Sequence, residues 1–323
     1  MNAPTLAAAL ALTLAGCINV DVELATRHGR YTEKTVEGDP DDQAKVALID
    51  VQGILTSDQE ESLFASKESQ VVALVEKLKL AEADPNVKAV VLRIDTPGGD
   101  VTTSDILYNE LISFKSRKKV PVVAAFMGVA ASGGYYLASG CDAIVAHPTT
   151  ITGSIGVISM HVSLTGLLDK IGVKVEALKS GPNKDMGSPF RALSEDDRRL
   201  LQALIDQFYG RFVSVVVEGR KGRLTESQVR TLADGRVFTA QQALEAKLVD
   251  GVGYLADAVF EAQKRANVSK AKLVMYSRRP SRVDNEYSAS AQAQTFIGSD
   301  LEQARKLLGF HCYYLWEPYI LGK

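Results

Sequence analysis

Residues Val87–Ser104 read VKAVVLRIDTPGGDVTTS: an unbroken β-branched run, then a proline and two glycines, then small hydroxylated residues. An apolar run without alternation is the pattern of a strand buried on both faces, as in a parallel sheet. Beyond it, SDILYNELISFKSR (104–117) carries apolar residues at helical spacing, and VPVVAAFMGVA (120–130) is another continuous strand. On the other side, VALIDVQGIL (46–55) reads as a short strand broken at Gly53, and SQVVALVEKLKLAEADP (69–85) as a helix stopped by Pro85. Strands alternating with helices predict parallel pairing with helices on the faces, an α/β class. In such sheets active sites gather where strands end and helices begin.

Two of these junctions are rich in glycine. TPGGDVTTS follows VVLRID, and AASGGYYLASG (130–140) overlaps the end of VVAAFMGVA. Backbone N–H groups at such turns approach a developing oxyanion closely, and two turns on neighbouring strands supply one donor each. Ser132, at the second turn and at the start of a helix, is a candidate nucleophile; a plain helix cap is the alternative.

A nucleophilic serine needs a base. Of the four histidines, His28 lies in a polar N-terminal segment, His311 in the tail, and His147 before Pro148 in a loop. His161, in GVISMHVSL (156–164), stands downstream of Ser132 at a strand-like position. A lysine is the other candidate, and it serves only where burial lowers its pKa by a few units from about 10.4. Lys179, in EALKSG, reads as a solvated lysine at a strand end. Asp95, Asp100 and Asp105 read as caps or solvated groups beside the first turn, and Asp250–Gly251 as a turn after a helix.

The totals narrow the class. With 323 residues, 46% hydrophobic and 24% charged, the chain has room for one large domain or two small ones. Its 37 basic against 39 acidic residues exclude an electrostatic grip on nucleic acid. Cys17, Cys141 and Cys312 lie far apart with no CxxC, so no structural metal and no cofactor is expected.

The N-terminus MNAPTLAAALALTLAGC has an uncharged apolar run, Leu6–Leu14, of secretory length and too short to cross roughly 30 Å of hydrocarbon. Its ending, Leu14-Ala15-Gly16-Cys17, resembles the bacterial lipobox, which makes residues 1–17 an export signal and Cys17 a lipid anchor. No Lys or Arg precedes the run, a departure from the usual positive n-region. Residues 18–45 read as a tether. Asn19, two places after Cys17, leans toward the outer membrane by analogy with lipoprotein sorting signals. The other end turns polar at SRRPSRVDNEYSASAQAQ (277–294) and finishes in GFHCYYLWEPYILGK (309–323). Three destinations fit this aromatic tail: its own core or a neighbouring subunit, a membrane interface, or a peptidase groove as a self-inhibitory peptide.

AASGGYY, TGSIGVI (152–158), SGPNKDMGSP (180–189) and RVFTAQQALEAKLVDGVG (236–253), in this order after DTPGGDV, resemble the core of the bacterial signal peptide peptidase A family over about Val46–Ala266. That family comprises membrane-associated Ser-Lys peptidases. The resemblance implies Ser132 as nucleophile, Lys184 as general base and Ser154 as the hydroxyl that orients the lysine. It implies Gly99 as one oxyanion donor, with the N–H of Ser132 or Gly133 as its partner.

It also implies the fold of the Clp proteases and crotonases, stacked ββα units over 46–275, with 276–323 as linker and tail. Relatives assemble into rings, and in single-length members serine and lysine can come from different subunits. An apolar groove lined by Met127, Val129, Ile155 and Val157 is expected near the site. The implied function is a serine endopeptidase that degrades cleaved signal peptides and other unfolded apolar segments at the bacterial envelope, facing the periplasm. A Clp-like Ser-His peptidase using His161, a crotonase-like acyl-thioester enzyme and a catalytically silent scaffold stay open beside it.

Overall fold

The continuous apolar runs become the central strands of one sheet. The computed structural model describes residues 29–57, 60–62, 65–67, 69–278, 283–288 and 311–316. Cys17, the signal 1–17 and His28 lie outside them. In chain order the strands are β1 Thr32–Glu37, β2 Lys45–Gln52, β3 Glu60–Ser62, β4 Ala65–Lys67, β5 Val87–Thr96, β6 Gly98–Asp100 and β7 Val122–Ala131. They continue with β8 Ala143–Ala146, β9 Ile151–Gly153, β10 Val237–Thr239, β11 Gly251–Val252, β12 Lys272–Ser277 and β13 Tyr313–Leu315. The main sheet runs β1-β12-β2-β5-β7-β8-β11, with β9 pairing the end of β7 and carrying β10. From β12 to β11 the ladders along this path are parallel.

Both faces are covered, which is why these strands show no alternation. On one face Val46, Leu48, Ala89, Val91, Val123 and Ala125 pack under helix Leu255–Arg265. On the other, Ile49, Val90, Leu92, Ile94, Ala124 and Phe126 meet helices Gln70–Ala83, Val101–Lys118 and Glu195–Gly219. Helix Val101–Lys118 buries Leu107, Leu111 and Phe114 and ends on Lys119 in the left-handed region. Lys115, Arg117 and Lys118 fill its last turn, where cations suit the negative end of the helix dipole.

Two stretches read as tether and linker are built into this sheet. Thr32–Glu37 pairs antiparallel with β12 as the edge strand. Its sequence TEKTVE is almost wholly polar because an edge faces water, so no hydrophobic period marks it. Residues 283–288 dock through Arg93, whose Nη2 donates to the Ser288 carbonyl at 2.7 Å and Nη1 to that of Glu286. Arg93 is also paired with Asp50, its register partner across β2 and β5, at 2.5 Å in a buried ion pair. Such a pair persists in the interior only when its remaining donors are met, and here backbone carbonyls meet them. Because those acceptors are main-chain atoms, composition could not show the docking.

Candidate active site

β7 ends at Ala131 and β9 at Gly153, and these residues are register partners in a parallel ladder. The next residues are Ser132 and Ser154, so adjacent strand ends, about 4.8 Å apart in such ladders, carry two serines side by side. Both leave their strands with positive φ, 52° and 48°. At Ser132 ψ is −112°, a combination that costs an L-residue about 1–3 kcal/mol unless its surroundings impose it. Here they do. Ser132 N–H donates to the Gly153 carbonyl at 2.8 Å, and the Ser132 carbonyl accepts the Tyr136 N–H at 2.8 Å.

Ser132 is 1% exposed, yet its Oγ has no hydrogen-bond partner. Nor does the side chain cap helix Gly133–Ala138, which removes the alternative reading of this serine as a plain cap. An unpaired buried hydroxyl costs roughly 1–3 kcal/mol, so this position carries two local penalties without a structural return. Strain at a strand-to-helix turn is how α/β hydrolases present a reactive serine.

The first glycine turn lies against the second. Gly98 has φ +100°, and a Cβ built there would stand 2.7 Å from the Gly133 nitrogen and 2.0 Å from the Tyr314 carbonyl oxygen. The Gly98 N–H donates to Thr96 Oγ1 at 3.0 Å, and Leu55 holds the turn from the other side through bonds to Gly98 and Asp100, each 2.9 Å. Gly98→Ala is therefore expected to cost about 1–3 kcal/mol of stability and most of the reactivity of Ser132. Thermal unfolding and fluorophosphonate labelling check this, and native-like labelling would show that the turn tolerates a side chain.

Within one chain no base reaches Ser132. Lys184 is exposed on the segment between helices Thr165–Lys170 and Glu195–Gly219 and makes no side-chain hydrogen bond or ion pair among the described residues. His161 lies in an irregular stretch, not a strand, with Nε2 3.1 Å from the Ser188 carbonyl. Lys179 is bound to Asp185 at 2.8 Å. Asp185 also accepts from Arg191 at 3.0 Å, and Arg191 in turn binds Asp197 of the capping box that starts helix Glu195–Gly219. The loop that carries Lys184 is thus tied at both sides by charge.

Arg191 and Lys179 hold the Asp185 carboxyl down to about 2, and Arg191 with Ser194 holds Asp197 well below the usual range. Because both folded-state values lie below the unfolded ones, their contribution is complete above roughly pH 4. It is lost as pH falls through about 2. Urea unfolding between pH 6 and 2 is expected to show a stability decline beginning near pH 4, shallower in Asp185→Asn; equal slopes would remove the network from the account.

The family model described as Clp protease matches residues 45–150, and that of Peptidase family S49 matches 114–269. A protein of Enterococcus faecium that bears the name signal peptide peptidase SppA is 36% identical over 245 residues, 76% of this chain and 70% of the relative. The chain belongs to peptidase family S49, the signal peptide peptidase A family. A Synechocystis protein that bears the name of a protease is 44% identical over 214 residues, 66% of this chain and 72% of its own. The chloroplastic serine protease SPPA of Arabidopsis thaliana is 35% identical over 209 residues, but these make up only 30% of that longer protein. The chain is a serine peptidase of family S49 with a Clp protease-like fold.

An open cleft of about 510 Å³ lies beside this S49 site, lined by Ser154, Val157, Ile158, Tyr209, Leu315 and Trp316 among others. Of the four groove residues expected, Val157 lines it. Ile155 is 0% exposed in the core beneath, and Val129 is buried in β7. Met127 lies outside the lining too, its carbonyl accepting the Thr150 hydroxyl at 2.5 Å. Strand ends turn the wall toward residues after Ser154, and sequence proximity to the serine does not report that turn.

The sequence reading passed over Tyr136, the second tyrosine of SGGYY. Its hydroxyl donates to Asp105, which also accepts from Arg211 Nε at 3.1 Å and Nη2 at 2.9 Å. Burial and the Asp105 carboxylate push that hydroxyl up, so it stays a donor. Asp105 is thus a strut for the wall of the site, and its partner Arg211 is remote in sequence. Asp250 is likewise architectural, binding Arg220 at 2.8 Å and Arg223 at 2.7 Å.

Proposed function

We propose that this S49 peptidase is an endopeptidase working through a Ser132–Lys184 dyad, and that it degrades cleaved signal peptides and other unfolded apolar segments at the bacterial envelope. The observation that carries the reading is the strained, buried Ser132 whose hydroxyl lacks a partner beside two touching glycine turns. In this scheme Ser132 Oγ attacks the peptide carbonyl while Lys184 Nζ takes its proton. Ser154 holds the amine in line, and the N–H groups of Gly99 and Gly133 receive the oxyanion. The proton passes to the leaving amine, and water then hydrolyses the ester.

Lys184 reaches Ser132 from a neighbouring copy. An unpartnered apolar surface surrounds it on the same arm: Leu167, Ile171, Val173, Val175, Leu178 and Phe190 are exposed, Leu178 at 95%. Surfaces of this kind mark contacts between copies, and burying the arm would desolvate Lys184. The substrate reading rests on the family and on the apolar cleft beside Ser154. The anchor at Cys17, the signal 1–17, and a peptidase unit of 46–275 with edge strand and tail added complete the proposal. Intact-mass analysis of the exported protein tests the anchor.

Fluorophosphonate labelling with peptide turnover tests the chemistry across Ser132→Ala, Lys184→Ala and His161→Ala. The dyad requires loss in the first two only. Loss in His161→Ala with Lys184→Ala unaffected would make it a Ser-His enzyme, and thioester turnover surviving Ser132→Ala a crotonase-like one.

A further inference from the structure

The chain's own residues 313–315 lie across this site. β13 pairs antiparallel with β6, Tyr314 opposite Gly99. Its other side bridges Ile158, with bonds both ways between Tyr313 and Ile158 at 2.9 and 3.0 Å. An extended segment held on both sides by strand edges is the β-addition mode by which peptides are bound. The ladder also fixes which carbonyl faces the glycine turns. Trp316 N–H donates to the Pro97 carbonyl at 2.9 Å, and Val101 N–H points to that of Cys312 at 3.5 Å. By the alternation of an antiparallel ladder Gly99 and Tyr314 between them form a hydrogen-bonded pair, Gly99 N–H to Tyr314 carbonyl. The same carbonyl oxygen would lie 2.0 Å from a Cβ on Gly98, itself 2.7 Å from the Gly133 nitrogen. The Tyr314 carbonyl therefore sits where the two turns meet.

The side chain of Tyr314 is 0% exposed. It stacks on Tyr136 at 5.0 Å between ring centroids, tilts against Phe212 at 4.6 Å, and its hydroxyl donates to the Phe208 carbonyl at 2.8 Å. Tyr136 is itself fixed by Asp105. The pocket is thus aromatic on its walls with one acceptor for a phenol, and it opens at the carbonyl position just described.

We propose that β13 marks the seat of the substrate backbone and that the pocket of Tyr136, Phe212 and the Phe208 carbonyl selects tyrosine as the residue on the acyl side of the scissile bond. The inference rests on the serine-peptidase reading of Ser132 and adds the substrate class: extended segments cut after tyrosine. Leu315 and Trp316 then occupy the leaving side, along the cleft they line with Ser154. The tail of the chain competes with substrate for this seat.

The test uses the full chain in its purified assembly, with quenched peptides identical except for Tyr, Phe, Leu or Ala at one position, cut sites read by mass spectrometry. Fluorophosphonate labelling of Ser132 is scored in the same samples. Cleavage after the varied residue is expected to be about tenfold faster for Tyr than for Phe, because a phenol acceptor is left unmet by Phe. Ala is expected to fall a further tenfold or more. Phe212→Leu, a conservative change, is expected to shrink the Tyr-to-Leu preference about tenfold. Ser132 labelling with equal cleavage after Tyr, Phe and Leu, or with Tyr found only on the amine side of cuts, overturns the pocket and leaves the peptidase reading standing. Absence of Ser132 labelling in the assembled chain removes both.

Discussion

Ser132→Ala is expected to abolish fluorophosphonate labelling and to lower peptide cleavage by at least about a thousandfold, while leaving the melting temperature unchanged or slightly raised. The size follows from what a nucleophile does: without it, only binding and oxyanion stabilisation remain. The stability half of the prediction is specific to this structure. The hydroxyl removed makes no hydrogen bond, so the fold loses nothing with it, and an unpaired buried polar group disappears. The bonds that impose the backbone strain, from Ser132 N–H to Gly153 and from Tyr136 N–H to the Ser132 carbonyl, are main-chain and survive the change. A large drop in melting temperature would mean that the serine is structural after all.

Lys184→Ala is expected to be nearly as damaging to turnover, by a factor of about a hundred to ten thousand, the range for a positioned general base. Since Lys184 is exposed and unpaired within its own chain, the monomer's stability is expected to be unmoved. Mixing Ser132→Ala with Lys184→Ala subunits tests where the lysine acts. If each site borrows its base from a neighbour, a mixed assembly contains some sites with both residues intact, and part of the activity returns. No recovery in mixed assemblies, with both parents folded, would place serine and lysine in the same chain. A lysine accepts a proton only when neutral, so the rate is expected to climb on the alkaline side. A single acidic limb near pH 6.5 would indicate an imidazole base instead.

Much of this was legible in the residues. The runs at 46–55, 87–95 and 120–130 are buried on both faces, and continuous β-branched sequence admits little else, so the parallel strands could be read directly. The glycine turns were legible for a similar reason: at Gly98 a side chain would strike backbone, so the requirement is written as a residue type. Lys179 could be mistaken for a base on sequence alone, and only its bond to Asp185 shows it to be a strut.

What the sequence by itself determined is the α/β class, the family motifs and Ser132 as a candidate nucleophile, because each depends on local periodicity or on a residue type that a local conformation demands. Only the tertiary structure decided that Thr32–Glu37 closes the sheet, that Ser132 and Ser154 stand on register-paired strand ends, that Asp105 and Arg211 brace Tyr136, and that Tyr314 lies beside the glycine turns. These contacts join residues far apart in the chain through backbone hydrogen bonds and register. Main-chain donors and acceptors are nearly the same at every position, so composition carries no trace of which of them will meet.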